Sequence, residues 1–238
     1  MDFSFPSVGQ PLGADRIDFL DSFRKNCART ILQMLKTSQS GHPGGSLSSL
    51  DFLALLYAFR LTKTEEKIVV SNGHISPGVY SVLAECGGID HEAVINEFRQ
   101  IGSVYEGHVT RHIPGIYFGT GPLGVGTSAA AGFAHAAKLD AGDGEPEKVF
   151  GLLGDGEAQE GQVHEMALFA AKEKLENFIV FVDWTRVQLT DSLDKTCPID
   201  PVAFFAAKDW DVMTIDGHNY DEIWEAIHTP TNGKPRAV

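Results

Sequence analysis

The sequence predicts an α/β fold, a mostly parallel sheet flanked by helices, on three observations. From Val149 the chain alternates strand (149–153), helix (159–174), strand (178–183), short helix (201–207), strand (212–215) and helix (220–227), the order of parallel strands with covering helices. The apolar run Val149 to Leu153 ends in Gly154-Asp155-Gly156, which opens an amphipathic segment. A glycine there lets the backbone approach phosphate oxygens, the aspartate offers hard oxygen to a divalent cation, and a helix start presents free N–H groups. Residues 124–138 are rich in alanine and glycine, as a helix packed closely on a sheet requires.

Ahead of that region, Ile17, Leu20, Phe23, Cys27, Ile31 and Leu35 recur at helical intervals and predict a helix over 14–37 with one buried face. Gly41-His42-Pro43-Gly44-Gly45 stops it. A second helix is expected from Leu47 to Phe59 with Ser46 as its N-cap, then a short strand over 67–71 ended by Asn72-Gly73. Tyr80 to Ala84 and His91 to Phe98 read as helical, and 102–122 as a long loop of the kind that usually carries function. Gly142-Asp143-Gly144 repeats the Gly-Asp-Gly pattern, but it follows a helix and precedes Pro146, so it reads as a surface turn. Asn232-Gly233-Lys234-Pro235 looks like a turn into one more strand, yet the chain ends at Val238, so a domain short at its C-terminal end, with an exposed sheet edge, is expected.

Composition narrows the partners. With 238 residues, 43% hydrophobic and 21% charged, the chain suits one large globular domain over 1–238. Its net charge of −13 disfavours nucleic acid and anionic membrane, so any anionic ligand must be held locally. Cys27, Cys86 and Cys197 form neither a ligand cluster nor an even disulfide set. The N-terminus lacks the basic region and apolar stretch of a signal peptide, and no apolar run could span a bilayer. The expected setting is cytoplasmic.

Four segments in order, Ser40-Gly41-His42-Pro43-Gly44, Ser71-Asn72-Gly73-His74, Gly107-His108 with Thr120-Gly121-Pro122-Leu123-Gly124, and Gly154-Asp155-Gly156 with Glu160-Gly161, resemble the N-terminal, diphosphate-binding part of transketolase. A similar Asp-Gly-His stands at 216–218. The resemblance implies a three-layer thiamine diphosphate-binding fold and an enzyme that moves a two-carbon ketol unit from a ketose, expected to be a phosphate, to an aldose. The hard chemistry is the cofactor's, while the protein binds, orients and moves protons.

Carried onto this sequence, the family pattern makes His42, His74 and His108 the histidines of the substrate channel, suited to proton traffic near neutral pH. A loop histidine by itself is more often structural. Three beside family glycines reverse that. Cofactor contacts are expected from His74, Gly121, Pro122, Leu123, Gly154, Asp155, Gly156, Glu160, Thr185, Arg186 and Leu189, and metal contacts from Asp155, Thr185 and Val187, with magnesium, or calcium or manganese, as the ion. Glu160 matches a glutamate of the family's interface carboxylate network.

The match departs from the family at the second half of the metal site. About thirty residues after the Gly-Asp-Gly aspartate the family places an asparagine whose side-chain oxygen binds the metal. Here Val182-Asp183 and Gln188 flank Thr185 and Arg186, which replace that asparagine and the glycine after it. A threonine hydroxyl is neutral and closer to its own backbone, so metal affinity should fall. Arg186 either pairs with diphosphate oxygens in partial place of the cation or points to solvent.

The glutamate that activates the cofactor's aminopyrimidine lies in family regions beyond this chain. A split transketolase is therefore implied, active only with a C-terminal pyrimidine-binding subunit, α2β2 being the natural assembly. Other readings are 1-deoxyxylulose-phosphate synthase, a specialised ketol or acyl transferase, and a scaffold subunit with a decayed metal site. The Gly-His-Pro-Gly and Gly-Pro-Leu-Gly segments favour transketolase, and the histidines with Asp155 speak against decay.

Overall fold

A computed structural model describes residues 6, 9–61 and 64–238. Residues 1–5, on which the reading of the N-terminus partly rests, lie outside the described residues. In chain order the elements are α1 (Ala14–Ser38), α2 (Pro43–Ser48), α3 (Leu50–Leu56), β1 (Lys67–Val70), α4 (Ser76–Glu85), α5 (His91–Glu97), α6 (Val125–Ala141), β2 (Val149–Gly154), α7 (Gly161–Lys172), β3 (Phe178–Asp183), α8 (Leu193–Thr196), α9 (Pro201–Ala206), β4 (Asp211–Val212), α10 (Tyr220–His228) and β5 (Arg236–Ala237). They group into two compact units. One comprises Met1–Thr64, Gly73–Gly119 and Ile215–Thr229, the other Glu65–Asn72, Thr120–Thr214 and Pro230–Val238.

The second unit holds the sheet. Its strands run in the order β1-β2-β3-β5-β4, and every pairing is parallel. Val149, Phe150, Leu152 and Leu153 in β2, and Phe178, Ile179 and Val180 in β3, are all buried, as parallel strands covered by helices demand. Each such side chain contributes roughly 1.5–3 kcal/mol of burial. α6 packs on β1 and β2 through Ala130, Ala131 and Ala134. Its small residues are required: a Cβ on Gly126 would lie 2.7 Å from the Cα of Ser71.

The turn expected at 232–235 leads into one more strand. Arg236–Ala237 forms β5 and lies between β3 and β4, not beyond them. Val238 N–H donates to the Val180 carbonyl at 2.8 Å, and its carbonyl accepts from Val182 N–H at 2.9 Å. Asp211, whose N–H donates to the Pro235 carbonyl, also receives the Arg236 Nε–H at 2.8 Å, and Arg236 is only 1% exposed. The strand expected at 212–215 is accordingly short and shifted to Asp211–Val212, with Met213 N–H making its last bond to β5, at the Ala237 carbonyl.

The first unit is helical. α1 buries Leu20, Phe23, Cys27, Ile31 and Met34 against α3, α4 and α5. The helix expected over 47–59 starts earlier, at Pro43, whose fixed φ suits a first turn. It is interrupted at Ser49 before α3, and ends in a π-helical turn at Tyr57–Leu61. Ser46 therefore lies buried inside α2 and is not a cap. α4 likewise begins earlier than expected, with Pro77 in its first turn. Among the described residues no helix is long and apolar enough to cross a membrane.

Candidate functional site

In the sheet unit the C-terminal ends of β1, β2 and β3 carry the polar residues. β2 and β3 are in register to their ends, Gly154 opposite Asp183, so the segments that follow leave the sheet side by side. Asp155 is 7% exposed; its Oδ1 accepts the Gly156 N–H at 2.9 Å, and its Oδ2 accepts the Thr185 hydroxyl at 3.0 Å. Thr185 Oγ1 lies 3.3 Å from the Val187 carbonyl. One hydroxyl proton cannot serve both acceptors, and the charged carboxylate is the stronger.

Two of the spacings among these oxygens are compatible with the shell of a divalent cation. Around an octahedral ion with oxygen ligands at about 2.1 Å, neighbouring oxygens sit about 3 Å apart. Asp155 Oδ2, Thr185 Oγ1 and the Val187 carbonyl are spaced at 3.0 and 3.3 Å from one to the next. Only one of the three is charged, and among the described residues no group of three His, Cys, Asp or Glu side chains gathers to hold a metal. The set suits magnesium that keeps phosphate and water oxygens in its shell.

Glu157, in the short 3₁₀ turn Glu157–Gln159, joins three of the motif segments and was not among the residues singled out from the sequence. It is 2% exposed, and its Oε1 accepts the Ser71 hydroxyl and, at 2.7 Å, the Gly124 N–H. Burial pushes its pKa up to about 7, against the lowering effect of those hydrogen bonds. Its Oε2, the Asn72 Oδ1 and the Gln188 Nε2 are buried without a partner among the described residues. Three unsatisfied polar atoms near the strand ends are what a polar ligand could use.

The other expected contacts are spread more widely. Gly124 has φ 85°, and a Cβ there would lie 3.2 Å from that of Glu160, so the Gly121-Pro122-Leu123 turn enters α6 beside an exposed Glu160. Arg186 has φ 60°, in the left-handed region that glycine favours, and its guanidinium pairs with Asp194 at 3.1 Å on the surface. Leu189, at the tip of the turn closed by the Val187–Ser192 bridge, is 98% exposed.

The helical unit holds the histidines. His42 precedes α2, and its ring lies 5.2 Å from that of His74 at 68°. His74 is in the turn Gly73–Ile75, pinned by Val109 N–H donating to the Gly73 carbonyl. His108 sits in the long loop, its carbonyl accepting the Tyr80 hydroxyl at 3.0 Å. Burial, then the neighbouring His42 and His108, drives the His74 pKa down to about 4. Burial, then Arg99 and His108, lowers that of His42. Both rings are therefore neutral near pH 7, each with one nitrogen to donate and one to accept. Arg99 is a second residue the motifs did not single out.

Residues 24–238 match the family model described as transketolase, thiamine diphosphate binding domain. The chain is 36% identical over 211 residues to a Clostridium protein named 6-deoxy-6-sulfo-D-fructose transketolase subunit SqwG, covering 83% of this chain and 75% of the other. It is 30% identical over 235 residues to an apulose-4-phosphate transketolase subunit from Phocaeicola vulgatus, covering 94% and 82%. The crystal structure of transketolase from Campylobacter jejuni superposes with a TM-score of 0.83 at 30% identity, over 92% of this chain and 37% of that one. The chain thus spans most of the length of the relatives named as subunits and about a third of the length of those named transketolase.

Proposed function

The chain belongs to the transketolase family through its thiamine diphosphate-binding domain, and on that premise we propose that it is the cofactor-binding subunit of a split transketolase. The reaction is transfer of a two-carbon ketol unit from an anionic ketose, a sugar phosphate being the first to test, to an aldose. The relatives named as subunits, which this chain covers for three quarters or more of their length, support that reading. The partner is a pyrimidine-binding subunit, with α2β2 as the assembly and a reducing cytoplasm as the setting, in keeping with three unpaired cysteines.

The observation that carries the proposal is the convergence of Asp155 Oδ2, Thr185 Oγ1 and the Val187 carbonyl after β2 and β3. Asp155 would hold the cation from the first side, and the threonine hydroxyl and the carbonyl from the second. The backbone of Gly154 to Gly156 and the Gly121-Pro122-Leu123 turn would hold the diphosphate. Thiamine diphosphate, when bound, supplies the nucleophilic carbon and the electron sink for C–C cleavage. His42, His74 and His108 bind sugar hydroxyls and exchange protons with them; the neutral rings of His42 and His74 accept a hydroxyl proton at pH 7, where imidazolium could not.

The test is reconstitution. Mixed with the pyrimidine-binding subunit, thiamine diphosphate and magnesium, the chain should transfer a ketol unit from a sugar phosphate, and it should be inactive alone. No transfer across a panel of phosphorylated and sulfonated ketoses, with the complex formed and the cofactor bound, would sink the proposal. The non-catalytic reading rests on Thr185, whose hydroxyl donates to Asp155. It predicts no cofactor binding even with magnesium in excess.

A further inference from the structure

We propose that Arg99 is a positioning residue for the histidine trio, its guanidinium holding the backbone that leads to His42 against the backbone that leads to His108. Arg99 follows α5 in a left-handed conformation, φ 58°, a strained choice for a residue with a side chain. Its N–H donates to the Tyr105 carbonyl at 2.9 Å, which fixes the start of the loop that carries His108. Its Nη1 donates to Ser40 Oγ at 2.6 Å, two residues before His42.

The plane of the guanidinium lies against Gly107. A Cβ on that glycine would fall 2.5 Å from Arg99 Nε and 2.9 Å from Cζ, so the residue before His108 must be glycine for the arginine to sit there. The preceding Phe98 lies beside the other loop: a Cβ on Gly41 would be in ordinary contact with its ring at 3.4 Å, while Leu35 Cδ2, at 2.2 Å, is what closes that position to a side chain. The pair Phe98-Arg99 is thus wedged between two loops, each ending one residue short of a channel histidine. A lysine would carry the charge but could not make the flat contact and the side-on hydrogen bond together.

Position and charge act jointly on His42. The chargeable groups around it are Arg99 at the end of α5, His74 from the turn Gly73–Ile75 and His108 from the long loop. Arg99 is the largest charge among the causes that lower the His42 pKa, after burial. The fixed cation therefore keeps the imidazole neutral as well as placed.

This inference rests on the transketolase reading for its consequence, so the test has two arms. In the first, ring resonances of His42, assigned by loss in His42→Gln, are titrated in the full chain and in Arg99→Met, Arg99→Lys and Gly107→Ala. The midpoint should rise in Arg99→Met and hold in Arg99→Lys, while the His108 amide shifts in all three. In the second, kcat with the partner subunit should fall about tenfold or more in Arg99→Lys and Gly107→Ala with KM little changed. Gly107→Ala keeps the charge and displaces only the side chain, so it decides the matter if Arg99→Met does not fold. An unmoved His42 midpoint and unmoved His108 resonances in folded variants would overturn the proposal. A wild-type chain without ketol transfer overturns only the functional premise, since the titration arm still reads the coupling.

Discussion

Thr185 Oγ1 lies 3.0 Å from Asp155 Oδ2 and donates its proton to it, so two of the residues proposed to hold the cation are bonded to each other. The hydroxyl has only one proton, and a bound cation competes with that bond.

Thr185→Asn should therefore strengthen magnesium-dependent binding of thiamine diphosphate. An amide carbonyl brings a stronger oxygen donor that reaches further from the backbone, and a gain of about tenfold, some 1.4 kcal/mol, is expected. Asp155→Asn should abolish the magnesium dependence. Cofactor titrations followed by fluorescence quenching, with magnesium and with a chelator, check both.

Glu157 makes the stability of the chain pH-dependent in an uncommon direction. Its carboxyl is held protonated up to about pH 7 against an ordinary 4.5. The folded chain thus binds more protons between those values, and the stabilisation is full below 4.5 and lost as pH rises through 7. The change is on the order of 3 kcal/mol for a shift of this size. Urea unfolding with a chelator present should show that loss, and Glu157→Gln should flatten it. An unchanged slope in the variant would count against the assignment.

His74 works in the opposite sense. With its pKa lowered from 6.5 to about 4 by burial first, the folded chain binds fewer protons, so its contribution is present above 6.5 and is lost as pH falls through 4. Ring titration should find no His74 protonation above about pH 5, and His74→Gln should resist acid unfolding better than the parent. A midpoint near 6.5 would contradict the half-buried placement.

The strands at 149–153 and 178–183 were legible because long apolar runs in parallel sheets leave little ambiguity. The start of α2 was not, since Pro43 sits inside a glycine-rich stretch that also reads as a turn, and its role as a first-turn residue emerges only with the following contacts. β5 is two residues long and depends on neighbours on both sides, which no local pattern records. Among the candidate residues, Asp155 and the histidines stood out by motif. Glu157 did not: three residues before Glu160, it reads as one more polar side chain until Ser71 and Gly124 are found around it. Arg99 had only its position before a loop to mark it.

Gly126→Ala should separate packing from chemistry. The added Cβ would meet the Ser71 backbone at 2.7 Å, so α6 must withdraw from the end of β1. Overpacking of this kind costs roughly 1–3 kcal/mol. Because Ser71 also donates to Glu157, the variant should shift the Glu157 titration as well as the unfolding midpoint. An unfolding midpoint equal to the parent's would mean that α6 is not seated as described.

Arg186→Gly decides what the arginine does. The φ of 60° costs a side-chain-bearing residue roughly 1–2 kcal/mol, which glycine relieves. Glycine loses about 0.5–1 kcal/mol through its freer unfolded chain. The Arg186–Asp194 pair, with side chains 64% and 69% exposed, adds little to stability. The net change in stability should stay within about 1 kcal/mol, so binding can be compared without a folding correction. If the guanidinium remains on Asp194, cofactor affinity in the variant equals that of the parent and depends strictly on magnesium. A tenfold or greater loss of affinity measured with a chelator present would instead mean that Arg186 leaves Asp194 to neutralise the diphosphate.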